Sequence, residues 1–106
     1  MADDRTIHEL EIPDGAREAD EAVEVLRAFI GDGALHVIFD PETFRHDVSE
    51  WGRLMADIAH HVAAAVSLDG QMPADDALAR VREAFERGVS VQPSTASGAI
   101  KGRLKH

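Results

Sequence analysis

Two apolar hexapeptides separated by a glycine-rich turn constrain this chain more than any other feature. Residues 25–30 read Val-Leu-Arg-Ala-Phe-Ile and residues 34–39 read Ala-Leu-His-Val-Ile-Phe, with Gly31-Asp32-Gly33 between them. Apolar runs of this length around three turn-forming residues predict a β-hairpin, with glycine supplying the positive φ. Leu35, Val37 and Phe39 then share one face of the second strand, and Ala34, His36 and Ile38 the other. Asp40-Pro41 ends that strand, because proline cannot donate to a ladder and restricts the residue before it. The stretch before the turn also carries helical spacing, through Ala19, Ala22, Val23, Leu26, Phe29 and Ile30. A short helix over residues 16–24 followed by a strand satisfies both patterns.

Other elements surround the hairpin. Leu10 and Ile12 alternate with Glu9 and Glu11, the pattern of a short half-exposed strand, and Pro13-Asp14-Gly15 marks a turn. Asp47 precedes Glu50 by three positions, the spacing of a capping box. Trp51, Leu54, Met55, Ile58, Val62 and Ala65 follow at helical spacing, so a helix is expected over residues 48–68, ending at Asp69-Gly70. A last helix is expected to start at Pro73 and to stop at Gly88, with Ala74, Ala77, Leu78, Val81 and Phe85 as its apolar stripe. Val89-Ser90-Val91 suggests a small strand. Residues 1–8 and 92–106 are polar and are expected to be flexible. These elements predict one α+β domain over residues 1–106. In it a small antiparallel sheet, centred on residues 25–39, packs against two or three helices, with Trp51, Phe44 and Met55 in the core.

Charge and composition exclude several function classes. The chain has 106 residues, no cysteine and a net charge of −9. Disulfides, iron–sulfur clusters, thiolate zinc sites and thiol nucleophiles are therefore ruled out, and a reducing, cytoplasmic compartment fits. Residues 1–50 hold 14 acidic residues against four arginines, whereas residues 51–106 hold six against seven Lys and Arg. That balance argues against nucleic acid as a partner, which needs clustered cations. It permits a basic protein partner for the acidic half. The most apolar stretch, Val62 to Val66, is far short of the roughly 20 residues of a membrane span, so no membrane role is expected.

Catalytic signatures do not occur. There is no phosphate-binding glycine loop and no nucleophile elbow, and His8-Glu9 fails the zinc pattern because Ile12 takes the second histidine's place. One polar constellation stands out, Asp57, His60 and His61 on the Trp51 helix. Asp57 is three and four positions from the two histidines, within side-chain reach on a helix. An Asp–His pair can orient an imidazole for base chemistry or for metal binding, with His36 or His46 as a third group. The simpler reading is a border histidine, His61, hydrogen-bonded to Asp57. Trp51, the only tryptophan, is either the largest core residue or an interface anchor.

Part of the chain resembles a known family. Val25-Leu26-Arg27, Gly33-x-Leu35-His36-Val37, Phe44 and Trp51-Gly52-x-Leu54-x-x-Asp57-Ile58-Ala59-x-His61-Val62-Ala63 are similar to the pattern of a family of short bacterial proteins catalogued as a domain of unknown function. The resemblance covers residues 22–66 and favours strands over residues 25–39. It implies that His36, Asp57 and His61 match polar positions of the family, and it carries no activity. The chain departs from that pattern at Val66, where an aromatic is common, and in the tail after Gly88. The expected role is therefore a non-enzymatic interaction or regulatory module, without a cofactor, acting as a homodimer. Apolar residues on both faces of the second strand motivate the homodimer. A small enzyme or metal binder using His36, Asp57 and His61 is the alternative.

Overall fold

A computed structural model describes residues 6–91. Its elements are α1 (Asp14–Glu18), β1 (Leu26–Gly31), β2 (Ala34–Phe39), α2 (Ser49–Leu68) and α3 (Ala74–Ser90). The two strands form one antiparallel sheet, and with the helices they make a small α+β fold. The expected flexible segments lie outside the described residues, except residues 6–8, which carry no regular structure.

The hairpin closes more tightly than a three-residue turn. Gly31 pairs with Ala34, so only Asp32 and Gly33 form the loop. Both have positive φ, 51° and 80°. Two consecutive left-handed residues are the signature of a type I′ turn, whose twist matches that of the flanking strands.

The N-terminal segment differs from expectation. Residues 6–13 are irregular, and Leu10 and Ile12 form no strand. An isolated strand has no ladder to satisfy its backbone groups, and β1 and β2 pair only with each other. The helix before the hairpin spans Asp14–Glu18 rather than residues 16–24. Residues 19–25 carry no helix and lead into β1. Here the apolar residues at helical spacing are used by the sheet instead, because Leu26, Phe29 and Ile30 are strand residues.

Helix α2 starts at Ser49 without the expected capping box, since its N-cap residue, Val48, makes no side-chain cap bond and the Glu50 N–H bonds the Asp47 backbone carbonyl. Asp47 Oδ1 accepts hydrogen bonds from the Ser49 backbone N–H at 3.1 Å and from Ser49 Oγ at 2.6 Å. Those bonds hold the Asp47 carboxyl below its ordinary range. The Glu50 side chain does not reach back to Asp47 but lies 3.6 Å from Arg53. At the other end Gly70 has φ 83°, its N–H bonds Ser67 O at 3.0 Å, and the Gln71 N–H bonds Val66 O at 3.2 Å. This is a Schellman motif, which satisfies the last carbonyls of the helix. Helix α3 begins one residue after Pro73 and continues through Gly88 to Ser90, so neither the glycine stop nor a strand at Val89–Val91 is found. A glycine costs about 1 kcal/mol inside a helix but need not end one, and Gly88 has no positive φ.

Packing is sparse. The strands pack on each other and α2 packs on α3. Among the described residues only Ala63 and Ala77, at 3% and 4% exposure, are buried. The sheet meets the helices at an aromatic joint. Trp51, on the first turn of α2, makes edge-to-face contacts with Phe39 at 5.2 Å and with Phe44 at 4.9 Å. Trp51 and Phe44 are thus half-buried in a joint between segments, and Met55, expected in the core, is exposed.

Candidate functional site

The register of the hairpin sorts its side chains into two unlike faces. Leu26 pairs with Phe39, Ala28 with Val37, and Ile30 with Leu35. Directly paired residues lie on the same side of an antiparallel ladder, so these six make one wholly apolar face. The other face carries Arg27 opposite Ile38, Phe29 opposite His36, and Gly31 opposite Ala34. Coverage of the apolar face is lopsided. Leu26, Val37 and Phe39 are half-buried, whereas Ile30 and Leu35, beside the turn, are 73% and 51% exposed.

A second apolar surface lies on α2. Its covered positions are Glu50, Trp51 and Leu54 near the start and Ala59, Ala63, Val66 and Ser67 farther along, and α3 is the helix packed on it. Trp51, Met55, Ile58, Val62 and Ala65 recur at alternating steps of four and three, the spacing of a helix–helix seam. At about 100° per residue this stripe is turned roughly a quarter of a revolution from Ala63. Met55, Ile58 and Val62 therefore stay exposed, each above 40%. The apolar periodicity of α2 was legible in the sequence. That α3 would take the adjacent alanine-rich side was not, because alanines at 59 and 63 give a weak signal beside Trp, Met and Ile.

At the open end of the hairpin, polar contacts tie the N-terminal segment down. Arg27 Nε and Nη2 donate to the two Glu24 oxygens at 2.9 and 3.0 Å, and Arg27 Nη1 donates to Glu9 at 3.4 Å. The bidentate bond lowers the Glu24 carboxyl and raises the Arg27 guanidinium from their ordinary ranges. A shallow open groove runs alongside, lined by Val23, Glu24, Arg27, Ile38, Phe39 and Thr43 among others. The sequence pattern did not single out this cluster, since Glu9 lies 18 positions from Arg27 and the Glu24–Arg27 pair stands outside any helix.

The polar candidates are distributed over two elements. His36 lies on β2, while Asp57, His60 and His61 are exposed on α2. Strand β2 meets helix α2 through the Phe39–Trp51 contact, and His36 is not among the hydrogen-bond partners of Asp57 or His61 in the described residues. Among the described residues no hydrogen bond joins Asp57 to His61, and no group of three or more His, Cys, Asp or Glu residues could hold a metal ion. Among the same residues no helix is long and apolar enough to cross a membrane.

Comparison with known proteins gives a family and a related structure. Residues 9–92 match the family described as Domain of unknown function (DUF5076). No curated protein matches the chain. Among solved structures, a protein provisionally assigned as a pyruvate dehydrogenase, from the photosynthetic bacterium Rhodopseudomonas palustrus CGA009, is 34% identical. It aligns with a TM-score of 0.64, over 87% of this chain and 94% of its own.

Proposed function

The chain belongs to a family defined as a domain of unknown function, and from that premise we propose that it is a non-enzymatic interaction or regulatory module that acts as a homodimer. The observation that carries this reading is the apolar face of the hairpin, whose turn end, the pair Ile30 and Leu35, is exposed. Ordering a residue costs about 1–2 kcal/mol of backbone entropy, and folding offsets this chiefly by removing apolar area from water. A described region whose buried residues are two alanines gains little of that by itself. A second copy supplies the missing cover, and contiguous exposed apolar patches commonly mark such contacts.

Chemistry is the weaker reading. A dehydrogenase needs polar groups gathered around a cofactor, and His36 stands on a different element from Asp57 and His61. A cysteine-free composition suits a reducing compartment, and the module is assigned to the bacterial cytoplasm. The acidic first half is its surface for a basic protein partner. Sedimentation equilibrium of the full chain tests the reading. A dimer at low micromolar concentration is expected, and a monomer at high micromolar concentration overturns it.

A further inference from the structure

We propose that the basic segment over residues 100–105, which lies outside the described residues, docks in the groove at the open end of its own chain's hairpin. The inference goes beyond the homodimer reading and does not depend on it. The groove has a volume of about 380 Å³ and is lined by Val23, Leu26, Ile38 and Phe39, with Glu24 and Thr43 beside them. Val23 and Ile38 are 71% and 48% exposed, so its floor presents apolar surface to water.

Charge marks the wall of the groove. The stretch leading into β1 carries Glu18, Asp20 and Glu21, all exposed, and none of the three has an ion-pair partner among the described residues. Arg27, the cation on the groove, is already engaged by Glu24 and Glu9. An apolar floor beside unpaired carboxylates suits a ligand that is apolar on one side and cationic on the other. Residues 100–105 read Ile-Lys-Gly-Arg-Leu-Lys. In an extended chain alternate residues point to opposite sides, which sets Ile100 and Leu104 against Lys101, Arg103 and Lys105. Residues 6–91 hold 18 acidic residues against seven arginines, whereas residues 92–106 hold three cations and no acid.

Helix α3 delivers this segment to the right end of the fold. It packs on α2 after a connection of five residues, 69–73, so the two helices run antiparallel. At about 1.5 Å per residue, α3 retraces roughly 25 Å of the roughly 30 Å length of α2. Ser90 therefore returns to the level of the first turns of α2, where Trp51 meets Phe39, and Phe39 lines the groove. Residues 92–99 span at most about 26–29 Å, against the roughly 8–10 Å between packed helix axes, so the reach suffices. A tethered ligand acts at about millimolar effective concentration, and modest contacts are enough to hold it.

Lys101 and Lys105 are the only lysines of the chain, which makes the test direct. The full chain is treated with a water-soluble carbodiimide, which joins lysine amines to carboxylates in contact, and the linked peptides are identified by mass. Links from Lys101 or Lys105 to Glu18, Asp20, Glu21 or Glu24 of the same chain are expected. The double variant Ile100→Ser, Leu104→Ser keeps both lysines, and its yield is expected to fall at least about fivefold because the apolar anchors are gone. Heavy- and light-labelled chains, mixed before treatment, separate links within a chain from links between chains. An undiminished yield in the double variant overturns the proposal. So do links only to Glu83, Glu86 or other acids away from the groove, links only between chains, and the absence of any link.

Discussion

The Phe39 ring meets the Trp51 indole edge-on, with centroids 5.2 Å apart and planes inclined by 74°. Phe39 closes the hairpin and Trp51 opens the long helix, so this one contact sets the angle between the two halves of the fold. Phe44 braces the same indole from the connector, at 80°. Edge-to-face pairs contribute about 0.5–1.5 kcal/mol each beyond their burial. Trp51→Ala is therefore expected to cost about 2–4 kcal/mol, somewhat less than a fully buried tryptophan. Trp51→Phe should recover part of that loss. Urea titration followed by far-ultraviolet circular dichroism measures both, because the variants lack the only tryptophan.

Charge on the apolar sheet face should dissociate the proposed dimer. Leu35→Glu places a carboxylate beside Ile30, its cross-strand partner, and burying an unpaired charge is costly. The dissociation constant is expected to rise at least 100-fold, equivalent to about 2.7 kcal/mol or more. Asp57→Ala, on the polar side of α2, should leave it unchanged. Sedimentation equilibrium of the two variants separates these outcomes, and equal effects would count against the sheet face as the contact.

Salt should tighten self-association. Each chain carries −9, so two copies repel each other at long range, and at 0.15 M salt the screening length is about 8 Å. Raising sodium chloride from 0.02 to 0.5 M (roughly 20 Å down to 4 Å of screening) is expected to lower the dissociation constant. An apolar interface predicts this sign, and an interface of salt bridges predicts the opposite.

The hairpin turn has its own signature. Gly33 holds φ at 80°, where an L side chain costs about 1–2 kcal/mol. Gly33→Ala should destabilise the protein by that amount. Asp32, at φ 51°, can be replaced by asparagine with little effect or a small gain, since Asn-Gly is the preferred pair for this turn. Thermal melts at fixed protein concentration compare the two.

Acid should weaken the N-terminal clip. Hydrogen bonding to Arg27 lowers the Glu24 carboxyl from its ordinary 4.5. A carboxyl whose folded value is depressed adds stability above its unfolded value, and the contribution is lost as pH falls through the folded one. Its share of stability is thus complete at neutral pH and declines below about 4.5. Glu24→Gln should flatten that part of the acid slope and leave the slope above pH 6 unaltered. The pair is fully solvent-exposed, so the effect is small. Urea midpoints at closely spaced pH values for wild type and variant resolve it.

How much of this was legible in the sequence depends on the range of the interaction. The hairpin, its positive-φ glycine and the Gly70 terminus are written in neighbouring residues, because turns and helix ends are decided by local backbone preferences. Element ends set by competition were less legible. Gly88 reads as a stop, yet α3 passes through it, and residues 19–24 carry helical spacing in a stretch that forms no helix. The candidate site follows the same division. Apolar residues on both faces of the second strand were visible, but the uniform apolar face emerged only from the register that sets Ala28 beside Val37 and Ile30 beside Leu35. The Glu9–Arg27–Glu24 clip adds to a local i,i+3 pair a residue 18 positions away, which no local pattern joins to it.

The amino-acid order by itself determined the hairpin, the two long helices, the absence of thiol chemistry and the acidic first half, since each depends on residue type or on neighbours along the chain. Which apolar surfaces are covered was decided only by the tertiary structure. Two alanines, Ala63 and Ala77, are buried, while the stripe with the strongest sequence signal, Met55, Ile58 and Val62, faces outward. Periodicity reports that a face is apolar and says nothing about what lies against it. Here the sheet meets α2 at the Phe39–Trp51–Phe44 joint, and α3 takes the alanine side of the helix.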